Sequence, residues 1–184
     1  RSLLWLGGPI ARATSLNLGS ALGWGAGVVI FGLVLGGAAR SFMDQLRDSP
    51  QFIQLLSMVF PGIDYASAGG FLQLLFVEFG VILAGLAAAT FVAGWASDET
   101  SGRLEMVLAA PLARIRWAAA GGLGMFVNVA IFVVLTAAGI GIGVLSSGGD
   151  IATPVLGSLV LGLYAAALVG VGHVVGGLFG TRFA

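Results

Sequence analysis

Eight acidic residues, eight arginines and one histidine make up the charged chemistry of this 184-residue chain, which has neither cysteine nor lysine. Without cysteine there are no disulfides, thiolate metal sites or cysteine nucleophiles. Without lysine there is no P-loop lysine to cradle a nucleotide phosphate, so any ATP chemistry has to come from another chain. His173 has no second histidine or cysteine with which to hold a metal. No Ser, His and acid arrangement supports nucleophilic catalysis. The chain is therefore expected to be neither an enzyme nor the seat of a metal or cofactor.

The remaining polar candidates stand alone in apolar surroundings. Glu78 interrupts a long apolar run, and an ionisable group inside a span is by default a functional candidate. Counting back from Ala96 at 1.5 Å per residue puts it about 27 Å up, near the outer headgroups. Two readings stay open: an acid at the interface reached by water, or an acid lining the outer end of an export pathway. His173 falls in the inner leaflet, where a hydrogen bond between helices is expected, with Asn128 and Thr136 as plausible neighbours.

The surrounding composition sets the class. Apolar residues make up 58% of the chain and charged residues only 9%, against about 25% charged in ordinary globular chains. The mean hydropathy is +1.06. Such a chain cannot cover a solvated surface, and lipid is the expected solvent. The balanced charge gives no electrostatic reason to expect nucleic acid as a partner. The 31 glycines suit close helix packing, and the pairs Gly23 and Gly27, Gly32 and Gly36, Gly139 and Gly143, and Gly172 and Gly176 have small-xxx-small spacing.

Charge-free runs long enough to cross a bilayer of roughly 30 Å predict four spans, at about 16–39, 69–96, 116–146 and 152–180. The expected fold is an all-α integral membrane protein, a polytopic helix bundle. Arg1, Arg12, Arg103, Arg114, Arg116 and Arg182 fall on one side of such a bundle and only Arg40 and Arg47 on the other, so the positive-inside rule puts both ends in the cytoplasm. The outer loop 40–65 holds a helix of its own: Ser49 and Pro50 read as N-cap and first helical residue. Phe52, Leu55, Leu56 and Val59 recur at helical spacing until Pro61-Gly62 ends the run. A start at Arg1 without methionine, and a stop just after Arg182, make the chain read as a segment of a longer protein.

Six of the sixteen charges lie between Ser97 and Trp117. Leu104, Val107, Leu108 and Pro111 share one arc of a helix, with Asp98, Gly102 and Glu105 opposite. Glu99 and Arg103 are spaced i,i+4 in the favourable order. The expectation is an amphipathic helix over 98–110 beneath the membrane, bracketed by Trp95 and Trp117 as interfacial aromatics. Three acids balance three arginines there. A segment that binds anionic lipid clusters basic residues instead, so a protein partner suits it better than a lipid surface, although a simple surface helix remains the alternative.

The run Asp98-Glu99-x-x-Gly102-x-x-Glu105-x-x-Leu108-x-x-Pro111-x-x-Arg114-x-x-Trp117, directly after a span, resembles the acid-Gly-Glu-Leu-Pro-Arg signature of type-2 ABC export permeases. More narrowly, with Gly8-Pro9-Ile10-Ala11 and Gly19-Ser20-Ala21-Leu22-Gly23-Trp24, the chain is similar to the C-terminal half of the multidrug efflux permeases of actinobacteria known as exporters of polyketide antibiotics. The resemblance implies a plasma (inner) membrane permease subunit that exports hydrophobic or amphipathic drugs. It also implies a separate nucleotide-binding ATPase subunit, which holds ATP and Mg and docks on Asp98, Glu99, Gly102, Arg103, Leu104, Glu105, Leu108, Pro111 and Arg114. Six spans per half are usual in the family, so two would follow Ala184 and the remaining permease half would precede Arg1. The longer, Glu-Ala-Ala-type loop of importers is not matched. The rival classes are half of an ion-coupled secondary transporter, with Glu78 carrying the ion, and a membrane anchor subunit that transports nothing.

Overall fold

The structure is a computed structural model of the chain, and it describes residues 8–65, 67, 70–71, 74, 80–101, 113–147 and 151–179. Five helices are described: α1 (Pro9–Arg47), α2 (Pro50–Val59), α3 (Gly80–Thr100), α4 (Arg114–Ser147) and α5 (Ala152–Phe179). There is no strand among the described residues. Four of the helices contain segments long and apolar enough to cross a membrane: Pro9–Ala38, Gly80–Ser97, Ile115–Ser146 and Val155–Leu178. In hydrocarbon every backbone polar group must be paired internally, which leaves the helix as the structure open to each run. The protein is thus an all-helical, multi-pass membrane protein.

Ala84, Ala87, Ala88 and Ala165 share the interior with Phe91, Met125, Phe132 and Ile140, while Ile30, Val34, Val134, Leu156 and Leu163 are exposed. Lipid is as apolar as leucine, so large apolar side chains can stand on either side, and small ones let backbones approach. Several hydroxyls inside the helices bond their own backbone: Thr14, Thr90 and Ser158 donate to the carbonyls of Ile10, Leu86 and Val155 at 3.0, 2.8 and 2.6 Å, whereas the buried Thr136 hydroxyl has no partner among the described residues.

Helix α1 runs further than expected in both directions, beginning at Pro9 and continuing through 40–47, residues assigned above to a loop. Charge-free length marks the lipid boundary, not the helix end. Leu46 is buried, and the Phe42 ring packs on Phe71 with centroids 4.6 Å apart. These contacts favour continued helix beyond the last apolar turn. Likewise, residues 98–100 are the closing turn of α3, not the start of a separate helix. Residues 102–112, which carry most of the expected amphipathic helix, lie outside the described residues, as do most of 69–79.

The chain divides into two compact units. One comprises Gly25–Leu83 and Val133–Leu161. Within it α1 and α4 touch through backbone. A side-chain carbon at Gly36 would sit 2.6 Å from Cα and O of Gly143, and one at Gly143 would sit 2.6 Å from the Gly32 carbonyl oxygen. Here α2 is capped as the sequence placed it, with Ser49 before it and Pro50 in its first turn, although the Ser49 hydroxyl makes no capping bond. Its far end is closed by Tyr65, whose hydroxyl lies 3.0 and 2.7 Å from the Leu56 and Phe60 carbonyls. Gly62, at φ +90°, turns the chain in a conformation that glycine adopts freely. The other unit comprises Arg1–Trp24, Ala84–Phe132 and Gly162–Ala184, and it holds the candidate site.

Candidate functional site

The site is built around the two helix ends that flank residues 102–112. At the end of α3 the Ser97 hydroxyl donates to the Gly94 carbonyl at 2.7 Å. The Ser101 backbone N–H and hydroxyl both donate to the Ser97 carbonyl, at 3.0 and 2.6 Å. The bonds from Ser101 satisfy the Ser97 carbonyl at the helix end. On the other flank the Ala113 carbonyl accepts from the Arg116 and Trp117 amides at 2.9 and 3.1 Å, which starts α4. Ile115, at 78% relative exposure, and Arg116 face outward there.

Just inside these ends, Trp95 of α3 and Trp117 of α4 stack, with ring centroids 5.3 Å apart and planes 25° from parallel. The sequence reading placed both as interfacial aromatics. Trp95 is only 4% exposed. The ends of α3 and α4 bring the two residues face to face, and the indole is covered by protein. Room for it comes from Gly121, one turn beyond Trp117, where a side-chain carbon would collide with the Trp95 Nε1 edge. Next to it, a side-chain carbon at Gly122 would lie 3.3 Å from Nε2 of His173. The His173 ring in turn packs on Trp95 with centroids 4.6 Å apart at 49°.

His173 therefore differs from its expected role. Its Nδ1 has no hydrogen-bond partner among the described residues. Asn128, expected as a neighbour, uses its amide elsewhere: Nδ2 donates to the Thr14 carbonyl at 3.1 Å and to the Gly124 carbonyl at 2.9 Å. Asn128 thus joins α4 to α1. A second amide link that the sequence reading missed runs from Asn17 Nδ2 to the Phe91 carbonyl at 3.0 Å, joining α1 to α3. The Trp24 indole Nε1 donates to the Thr90 hydroxyl at 3.3 Å, which also joins α1 to α3. Asn17 sits in the first apolar run as Asn128 does in the third, so a polar residue in a span was the available signal. Trp95 Nε1 and Asn128 Oδ1 are also buried without a partner among the described residues.

Of the remaining expected site residues, Asp98 and Glu99 lie in the last turn of α3 and Arg114 opens α4. Glu78, Gly102, Arg103, Leu104, Glu105, Leu108 and Pro111 lie outside the described residues. No group of three His, Asp or Glu able to hold a metal occurs among the described residues. The described residues here are helix ends packed through ring contacts and joined by carboxamide hydrogen bonds.

Comparison with known proteins agrees with this character. Residues 6–182 match the family described as the C-terminal domain of the multidrug efflux system permease Rv1217c. Over 111 residues the chain is 32% identical to the multidrug efflux system permease protein Rv1217c of Mycobacterium tuberculosis (strain ATCC 25618 / H37Rv), a stretch covering 60% of this chain and 20% of that protein. The matched stretch thus spans about a fifth of the relative's length. No solved structure matches. With nearly its whole length matched, the chain belongs to the family of multidrug efflux permease C-terminal domains typified by Rv1217c.

Proposed function

We propose that this chain is part of the membrane half of an ATP-driven exporter, moving hydrophobic or amphipathic drugs outward, with ATP and Mg held on a separate nucleotide-binding subunit. The observation that carries the reading is that the efflux-permease match runs through residues 6–182 and so includes the Asp98 to Arg114 segment. That segment bears the exporter signature Asp98, Gly102, Glu105, Leu108, Pro111 and Arg114.

Charge placement supports it. Acids Asp98 and Glu99 sit at the C-terminal end of α3 and arginines Arg114 and Arg116 at the N-terminal end of α4, with no basic residue in the last turn of α3 and no acidic residue in the first turn of α4. A helix dipole favours the reverse at both ends, by about 0.3–1 kcal/mol per charge. These charges therefore do not serve their helices. Arginines suit a cytoplasmic boundary, and a mixed-sign segment suits a protein surface. In this reading the ATPase subunit docks on 98–111, and both ends of the chain face the cytoplasm. The docked subunit moves the spans only if it contacts the segment differently in its two states.

The test is copurification. The full-length permease should bring down an ATPase subunit, and replacing residues 98–113 with a Gly/Ser stretch of equal length should abolish this while the permease still inserts. Drug export driven by a proton gradient without ATP, or undiminished copurification of the replaced variant, would overturn the reading.

A further inference from the structure

In the chain, residues 102–112 run between the end of α3 and the start of α4. A force applied to a segment anchored on two independent helices can be dissipated by bending either one. The Trp95–Trp117 stack lies directly across these two anchors. His173 adds a third helix through its contact with Trp95. We propose that Trp117, Trp95 and His173 form an aromatic clamp that makes the ends of α3 and α4, together with α5, move as one body when the intervening segment is pushed. This rests on the exporter reading above and names the residues that transmit its stroke.

Two further observations set the chemistry of the clamp. First, Gly121 and Gly122 leave α4 flush against the indole and imidazole rings, so the cluster is closely packed on three helices. Second, Trp95 Nε1 and His173 Nδ1 have no hydrogen-bond partners among the described residues. Among the described residues the rings meet through their faces and edges, with no polar bond at these two nitrogens. The clamp therefore needs flat aromatic area at 95 and 117 and does not need the indole N–H. Aromatic pairs prefer such offset, near-parallel or tilted contacts over looser apolar ones.

The experiment uses the full-length permease with its ATPase subunit, reconstituted in vesicles and supplied with a fluorescent hydrophobic drug. Three quantities are read: ATPase subunit bound, ATP hydrolysed, and drug moved per ATP. Trp117→Leu and Trp95→Leu are expected to retain the bound ATPase while drug moved per ATP falls about fivefold, within the usual range of coupling between sites. Trp117→Phe and Trp95→Phe should stay within about twofold of the parent, because the stack survives. The 184 residues hold no cysteine, which makes a paired Trp95→Cys, Trp117→Cys variant selective within this chain. Uncoupled when reduced, it should regain coupling when the two thiols are joined by a short bifunctional reagent. That rescue also guards against a leucine variant that fails to fold.

Leucine variants that move drug as efficiently as the parent would overturn the clamp. So would phenylalanine variants as defective as leucine, or a joined pair that loses transport. A parent permease that binds no ATPase overturns the exporter reading itself and the clamp with it, whereas the first three outcomes leave that reading standing.

Discussion

Gly143 of α4 lies against Gly36 of α1 so closely that a side-chain carbon on Gly36 would come within 2.6 Å of the Gly143 Cα and carbonyl oxygen. The obstacle is backbone, which cannot rotate aside. Gly36→Leu and Gly143→Leu are therefore expected to cost at least 1–3 kcal/mol, the usual range for overpacking. Gly27→Ala, at a position with nothing within 4 Å, should stay within about 0.5 kcal/mol. Thermal unfolding of the detergent-solubilised full-length permease measures all three.

Asn128 is a donor to two carbonyls, and its Oδ1 gains no bond among the described residues. Asn128→Ala should cost about 1 kcal/mol, in line with interhelical hydrogen bonds in membranes. Asn128→Asp should be worse, by roughly 2.5 kcal/mol or more, because a buried carboxylate would face the Thr14 and Gly124 carbonyls without a donor to offer. Denaturant titration in mixed micelles gives the ordering. An aspartate variant as stable as the alanine one would show that this site is wet.

The Tyr65 hydroxyl closes the end of α2 by reaching the Phe60 carbonyl just past the last turn and the Leu56 carbonyl, which also accepts the Phe60 N–H. Tyr65→Phe keeps the ring and removes the bond, at a cost of about 1 kcal/mol. Amide hydrogen exchange in residues 54–60 should quicken, while exchange in α4 stays as it was.

Gly94 is packed against the Asn17 side-chain oxygen. Gly94→Ala should push Asn17 away and break its bond to the Phe91 carbonyl. Double-mutant cycles between positions 94 and 17 should then show non-additivity of about 0.5 kcal/mol or more. Additive effects would mean that the two positions are independent.

How much of this was legible in the sequence depended on range. The four crossings follow from run length alone, since lipid demands uninterrupted apolar helix, and α2 follows from Ser49-Pro50 at one end and Pro61-Gly62 at the other. Where α1 ends did not follow, because Arg40 marks a change of solvent and not of conformation. Among the glycine pairs, Gly32 with Gly36 and Gly139 with Gly143 meet across two helices. Gly23 and Gly27 have open space before them. Spacing alone could not separate these, as the distinction depends on which helix face meets a neighbour. The same holds for Trp95, Trp117 and His173. Their types and positions were visible, but the contact among them depends on the alignment of three helices, which no local pattern encodes. Asn17 was overlooked although it had the same signal as Asn128, a carboxamide within an apolar run.

In the proposed exporter, residues 98–111 receive force from an ATP-hydrolysing partner. The most direct measurement of this is drug-stimulated ATP hydrolysis by the reconstituted full-length permease and partner carrying both Arg103→Glu and Glu105→Arg. Reversing the two charges should cut the stimulated rate about tenfold, a typical coupling magnitude, while the amount of permease inserted in the membrane is unchanged. Stimulated hydrolysis equal to that of the unaltered protein would contradict the account.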